Sequence, residues 1–169
     1  AHTGSYGYPS VTLTGSVKKD ISFIEEIIGV KIAISDHRAP SITNAELARL
    51  ASDARVAGML SGKAGIVIVH MGDGKKALKP INEILEETEI PRRIFRPTHV
   101  NRREELLVEA FEFAKEGGII DLTCGIYEDL SPTRVILRAE EEGVPLGNIT
   151  VSSDGYGSWS RYDEFGRLL

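Results

Sequence analysis

Short β-branched runs alternate with longer amphipathic ones from Val17 to Ser153, and this alternation constrains the chain more than any other feature. A helix between two strands returns the chain to the same end of the sheet, so a strand–helix series requires parallel strands. The spacing predicts strands at Val30–Ser35, Ala64–His70, Arg93–His99, Ile119–Thr123 and Ile149–Ser153. In the first of these, Val30, Ile32 and Ile34 share one face and Lys31, Ala33 and Ser35 the other. A helix over Val17–Ile28 carries Ile21, Ile24, Ile27 and Ile28 as a stripe and is closed by Gly29. Thr43-Asn44-Ala45-Glu46 reads as a capping box for a second helix, with Leu47, Leu50, Ala51 and Ala54 inward. A third runs from about Lys75 to Glu87, with Pro80 limiting its first turn. Asn101-Arg102-Arg103-Glu104 is expected to cap a fourth, whose buried stripe is Leu107, Ala110, Phe111 and Ala114. Ser131-Pro132 opens a fifth, which ends at Glu142. Five parallel strands suit either an open doubly wound sheet or a (β/α)₈ barrel, with no internal domain boundary.

Composition narrows the function. The chain has 169 residues, 27% of them charged and 41% hydrophobic, with a net charge of −5, which describes a globular protein. A pI near 5.4 argues against binding nucleic acid through its phosphates. No apolar run approaches the roughly 18 residues that cross a bilayer, so no membrane partner is expected. One cysteine, Cys124, excludes an internal disulfide and fits a reducing, cytoplasmic setting. The N-terminus has no signal-peptide pattern and no initiator Met, as expected of a chain that begins inside a longer one.

Four predicted strands carry unusual polar residues: Lys31 within the first, and His70, His99 and Asp154 at the ends of three others. In a parallel barrel the carboxyl ends of all strands meet at one face, where active sites are built. Two imidazoles and a carboxylate converging there would make a zinc site. The residues taken singly have blander readings: satisfied histidines, Asp-Gly as turn chemistry, and a snorkelling lysine. Their joint occurrence at equivalent places in the repeat weakens these readings, and spacing alone leaves the metal site and the blander readings evenly balanced. Lys31 fits beside metal ions only as a neutral amine, which can add carbon dioxide to become an anionic bridging carbamate. Other features are weaker. Gly58–Lys63 lacks the spacing of a phosphate-binding P-loop. Met71-Gly72-Asp73-Gly74 could hold an anion but reads as a loop beside the site. His37 is expected behind the ligands rather than among them, and Cys124 has no partner pattern for a nucleophile.

The words Gly4-Ser5-Tyr6-Gly7-Tyr8-Pro9, Gly29-Val30-Lys31-Ile32-Ala33-Ile34-Ser35-Asp36-His37-Arg38, Pro97-Thr98-His99-Val100-Asn101-Arg102 and Ser152-Ser153-Asp154-Gly155 closely resemble the bacterial isoaspartyl dipeptidases. That family lies within the metal-dependent amidohydrolase superfamily. The resemblance covers nearly the whole chain, with His70 in register. It implies that residues 1–169 are an internal segment, about strands 4 to 8 with their helices, of a distorted (β/α)₈ barrel. The first strands and the small β-domain would be absent, in keeping with the roughly 250 residues of a full barrel.

The resemblance also implies two zinc ions per full-length subunit, bridged by carboxylated Lys31. His70 and His99 would bind one ion; Asp154 would ligate the other and act as general base on a metal-bridging hydroxide. Tyr6 would polarise the scissile carbonyl, Arg38 and Arg102 would hold a substrate carboxylate, and Ser158 would add a polar contact. The implied reaction is hydrolysis of the β-aspartyl bond in short isoaspartyl peptides by a homo-oligomeric metallo-dipeptidase. The family's His-x-His pair for the second metal has no match here, so the chain as given is expected to be weakly active or inactive. The alternatives are another dinuclear-zinc amidohydrolase, a cyclic amidase or deacylase, and a metal-free α/β module binding an anion at Gly72–Gly74.

Overall fold

Val30, Ile32 and Ile34 are fully buried on one side of their strand, and they are joined in one core by Leu47, Leu50, Ala51 and Ala54 of the helix that follows. The same construction repeats along the chain. The structure, a computed structural model, describes residues 1–125, 129–155 and 164–165. Its elements are β1 (His2–Gly4), α1 (Val17–Phe23), β2 (Gly29–Ile34), α2 (Asn44–Ser61), β3 (Ile66–Met71) and α3 (Lys79–Glu87), followed by β4 (Phe95–Thr98), α4 (Glu104–Lys115), β5 (Ile120–Thr123), α5 (Pro132–Glu141) and β6 (Ile149–Ser152). The six strands form one parallel sheet in sequential order. A doubly wound sheet reverses its strand order partway, and this one does not. Right-handed crossovers that always step in the same direction put every helix on the same face, as in a segment of a (β/α)₈ barrel.

The opposite face of the sheet carries Lys31, Ala33, Ile68, His70, Arg96, Thr98, Asp121 and Thr123, in register across the strands. The helix-side face is apolar: Val67, Val69 and Met71 of β3, Phe95 of β4 and Ile120 and Leu122 of β5 are all fully buried. No helix among the described residues is long and apolar enough to cross a membrane.

Several local expectations are corrected. Among the described residues there are six strands rather than five; β1 is three residues long and exists through its pairing with β2, His2 opposite Gly29 and Gly4 opposite Lys31. Helix α1 stops at Phe23 rather than Ile28. Lys63 explains the stop, since its Nζ donates to the carbonyls of Ile21 and Ile24 at 2.7 and 2.6 Å and satisfies the helix end from outside. Helix α3 begins at Lys79, with Pro80 in its first turn. Neither α4 nor α5 has a side-chain cap: Asn101 spends its amide elsewhere, and Ser131 makes no capping bond. The expected capping box is present on α2, where Thr43 Oγ1 accepts from the Glu46 amide and the Glu46 carboxylate accepts from the Thr43 amide.

Gly29 allows β2 and β3 to approach. A Cβ there would lie 2.3 Å from the Ile66 carbonyl oxygen, a backbone atom of the paired strand. Gly29→Ala is therefore expected to destabilise the protein by about 2 kcal/mol through overpacking. At this size that lowers the melting temperature by about 5 °C. An unchanged thermal melt would mean that the two strands separate at little cost.

Candidate functional site

His70 closes the inward face of β3, and His99 follows β4 in a left-handed turn with φ +66°. Their rings meet edge to face, with centroids 4.5 Å apart. Tyr6 stands edge-on to His70 at 5.0 Å and is held over β2 by the Ala33 amide, which donates to its carbonyl at 3.0 Å. The Nζ of Lys31 lies 5.2 Å from the Tyr6 ring centroid and the guanidinium carbon of Arg38 4.4 Å from it. Five of the residues singled out in the sequence, Tyr6, Lys31, Arg38, His70 and His99, thus form one cluster.

Both histidines are almost wholly buried. Burial lowers the His70 pKa to about 3, helped by neighbouring His99, Arg38 and Arg102 and opposed by Asp36. Burial likewise lowers that of His99 to about 4, against the opposing charge of Asp154. Both rings are therefore neutral near pH 7. Each also keeps one buried nitrogen without a hydrogen-bond partner among the described residues, Nδ1 on His70 and Nε2 on His99. A buried polar atom left unpaired is costly and rare. Neutral imidazole nitrogens of this kind are what a metal ion requires.

The other nitrogens are oriented. His99 Nδ1 pairs with Thr123 Oγ1 at 2.7 Å, so that with Nδ1–H donating the Nε2 lone pair is free. His70 Nε2 lies 3.4 Å from Asp36 Oδ2 and 2.6 Å from Arg38 Nη2. Arg38 forks onto Asp36, its Nε donating to Oδ1 at 2.8 Å and its Nη2 to Oδ2 at 2.7 Å. The Arg38 hydrogen bonds hold the Asp36 carboxyl far below the usual carboxylate range, although burial opposes them.

The remaining expected residues are less central. Arg102 acts on both imidazoles through its charge and stands 3.8 Å from Asp73 Oδ1. Asp154 is exposed, in a left-handed turn with φ +48°, and reaches His99 through its charge. Among the described residues no group of three or more His, Cys, Asp and Glu side chains lies together as a metal cage. Ser158 lies outside the described residues. His37 is exposed and 3.7 Å from Asp36 Oδ1, on the solvent side of the site. Cys124 is exposed. The Gly72 and Gly74 amides donate to the carbonyls of Ile34 and Ser35 at 3.1 and 2.6 Å. They are therefore already used, which leaves little for an anion at that loop.

Sequence reasoning missed Asp36, Asn101, Asp121 and Thr123. Asn101 receives the Thr123 amide on its side-chain oxygen at 2.8 Å and donates to the carbonyls of Thr123 and Leu130 at 2.9 and 2.8 Å. Asp36 had one visible signal, a carboxylate directly after a strand and two residues before an arginine. The other three had none, because their partners lie more than twenty residues away.

No family model matches the chain. Among the solved structures that resemble it, two match over most of its length. The crystal structure of the β-aspartyl dipeptidase from the thermophilic, keratin-degrading Fervidobacterium islandicum AW-1, in complex with β-Asp-Leu dipeptide, superposes with a TM-score of 0.88. It shares 46% identity over 99% of this chain and 45% of that one. A second crystal structure of that dipeptidase gives 0.85 and 48%, over 91% of this chain and 42% of the other. The chain thus spans less than half the length of the structures it matches.

Proposed function

We propose, from the premise that this chain belongs to the β-aspartyl dipeptidase family, that its protein hydrolyses the β-aspartyl bond of short isoaspartyl peptides with the help of zinc. The observation that carries this reading is the pair of buried, neutral imidazoles with unpartnered nitrogens beside Lys31 and Tyr6. That donor chemistry suits zinc. His70 Nδ1 and His99 Nε2 would hold one ion, Asp154 the other, and carboxylated Lys31 would lie between them. Two zinc ions, when bound, would supply Lewis acidity and a more acidic water.

The chain's own residues do the rest. Asp154 takes the proton of the attacking water on its carboxylate and passes it to the leaving amine nitrogen, which needs a base exposed enough to face both. Tyr6 donates its hydroxyl proton toward the carbonyl oxygen as negative charge grows there. Arg38 and Arg102 clamp the carboxylate of the substrate, a task suited to the guanidinium fork. Ser158 adds a polar contact to the substrate. The protein is cytoplasmic and homo-oligomeric on this reading, and the 169-residue chain alone is weakly active or inactive because it carries no His-x-His pair.

The test uses the protein at its natural full length, with zinc analysis and hydrolysis of β-Asp-Leu, α-Asp-Leu and a cyclic amide. β-Asp-Leu alone should be cleaved, and a chelator should abolish the activity. Lys31→Ala should lower kcat/KM by about 100-fold or more together with the zinc content. Arg102→Met should raise KM for β-Asp-Leu by about tenfold or more while leaving zinc in place. Activity indifferent to chelator would refute the metal reading, and preference for the cyclic amide would move the protein to another amidohydrolase activity.

A further inference from the structure

We infer that Asp121, on the one central strand that carries none of the candidate ligands, is a positioning residue that sets the separation of His99 and Asp154. The inference rests on the function proposed above for those two residues.

The seam between β4 and β5 is the weakest in the sheet. Its ladder is the single pair Thr98–Asp121, whereas β2 and β3 are paired at every position from Gly29 to Ile34 and β5 and β6 from Ile120 to Thr123. Side chains make up the deficit. The Asp121 carboxylate receives three hydroxyls: Thr98 Oγ1 at 2.7 Å and Ser152 Oγ at 2.6 Å, both on Oδ2, and Thr150 Oγ1 at 2.8 Å on Oδ1. One carboxylate therefore ties β4 on one side and β6 on the other.

The two tied hydroxyls stand at the places that matter. Thr98 immediately precedes His99, and Ser152 precedes Asp154 by two residues. His99 and Asp154 both have positive φ, a backbone conformation that side-chain-bearing residues hold only where their surroundings enforce it. The last well-anchored residues before each of these turns are those bound to Asp121. One layer further along β5, Thr123 Oγ1 meets His99 Nδ1, so β5 also fixes the His99 ring. A carboxylate suits the position because its two oxygens accept all three hydroxyl protons at once.

The test compares Asp121→Ala, Asp121→Asn and Ser152→Ala with the parent protein at its natural full length. Asn148→Ala serves as control, since it removes a side-chain hydrogen bond to the Ala114 carbonyl among the helices. The readouts are zinc affinity by chelator competition, the visible spectrum of the cobalt(II)-loaded protein, and exchange of the Cys124 amide, which donates to the Ser152 carbonyl across β5–β6. Asp121→Ala should weaken zinc binding by about tenfold or more, the range for residues that orient ligands, and shift the cobalt spectrum. Asp121→Asn should recover most of the loss, because the hydroxyls can turn to accept from its amide. Ser152→Ala should show a smaller change in the same direction, and this variant decides the matter if Asp121→Ala does not fold. Asn148→Ala should lower the melting temperature and leave both metal readouts unchanged.

The inference is overturned if Asp121→Ala and Ser152→Ala melt lower but keep the parent's zinc affinity and cobalt spectrum. A parent protein that takes up neither metal would instead refute the proposed function. The positioning role would then be judged on amide exchange. Faster exchange at Cys124 in Asp121→Ala but not in Asn148→Ala would sustain it, and equal exchange in the two would end it.

Discussion

Replacing Asp36 with Asn is expected to weaken zinc binding by about 10- to 100-fold and to raise KM for a β-aspartyl dipeptide, with a smaller effect on kcat. Asp36 is buried, with its side chain 2% exposed, and it faces two functional groups together. Its Oδ2, 3.4 Å from His70 Nε2, is the acceptor that an Nε2–H would take if Nδ1 is to be a ligand, in place of the 2.6 Å contact in which Nε2 accepts from Arg38 Nη2. Both its oxygens receive the Arg38 fork, so the guanidinium that would clamp the substrate is aimed by the same group. An amide keeps the shape and one acceptor oxygen but turns an N–H₂ toward the guanidinium. Both tasks should therefore suffer while the fold survives. Asp36→Ala goes further and strips Arg38, 28% exposed, of its only close carboxylate partner among the described contacts, at a cost of about 2–3 kcal/mol. Calorimetric zinc titration and steady-state kinetics of the Asn variant check the first expectation. Parent-like zinc affinity would show that His70 is oriented without Asp36.

The second large effect lies at Asp20, far from the histidines in sequence but tied to the segment that carries Tyr6. Asp20 is fully buried at 0% exposure. It accepts from the Thr3 hydroxyl on β1, from the Leu13 and Thr14 amides at 2.9 and 2.8 Å, and from the Thr14 hydroxyl at 2.6 Å. The contacts fall on both sides of residues 4–12, so this carboxylate closes the loop that holds Tyr6 over His70. Asp20→Ala strands several buried donors and should cost about 3 kcal/mol, with kcat falling as Tyr6 loses its position.

The pH dependence follows from the same bonds. Burial alone would raise the Asp20 pKa, but the hydrogen bonds from Thr14, Thr3 and the two amides outweigh it and bring it from 3.8 to about 2. A carboxylate depressed in the folded state adds stability that is fully present above its unfolded value and is lost as pH falls through the folded one. Denaturant melts of parent and Asp20→Asn should therefore differ most above pH 4 and converge toward pH 2. A constant gap across that window would assign the effect to packing rather than to the ionised carboxylate.

Much of the architecture was legible in the sequence, and the reasons are local. The Thr43–Glu46 capping box spans one turn, so its residues alone specify the start of α2. The alternation in Val30–Ser35 has a period of two, and it placed Lys31 opposite the apolar face correctly. Where local reading failed, a distant partner was responsible. Helix α1 ends early because Lys63, about forty residues on, caps it. Strand β1 was invisible because His2-Thr3-Gly4 has no pattern of its own and is extended by pairing with β2. Asn101 was misread as a cap because Thr123 and Leu130 claim its side chain.

The candidate site divides in the same way. The sequence by itself determined a parallel strand–helix series and which strands carry Lys31 within them and His70, His99 and Asp154 at or just past their ends, since both are set by periodicity along the chain. Only the tertiary structure decided which of these meet: His70 against His99 under Tyr6, Arg38 turned onto Asp36, Asp154 acting on His99 through its charge. It also decided that Asp36, Asp121 and Thr123 hold them in place. The reason is physical: side-chain direction follows from the pleat of one strand, whereas contact across strands depends on register, which is set by pairing between segments that the chain brings together only on folding.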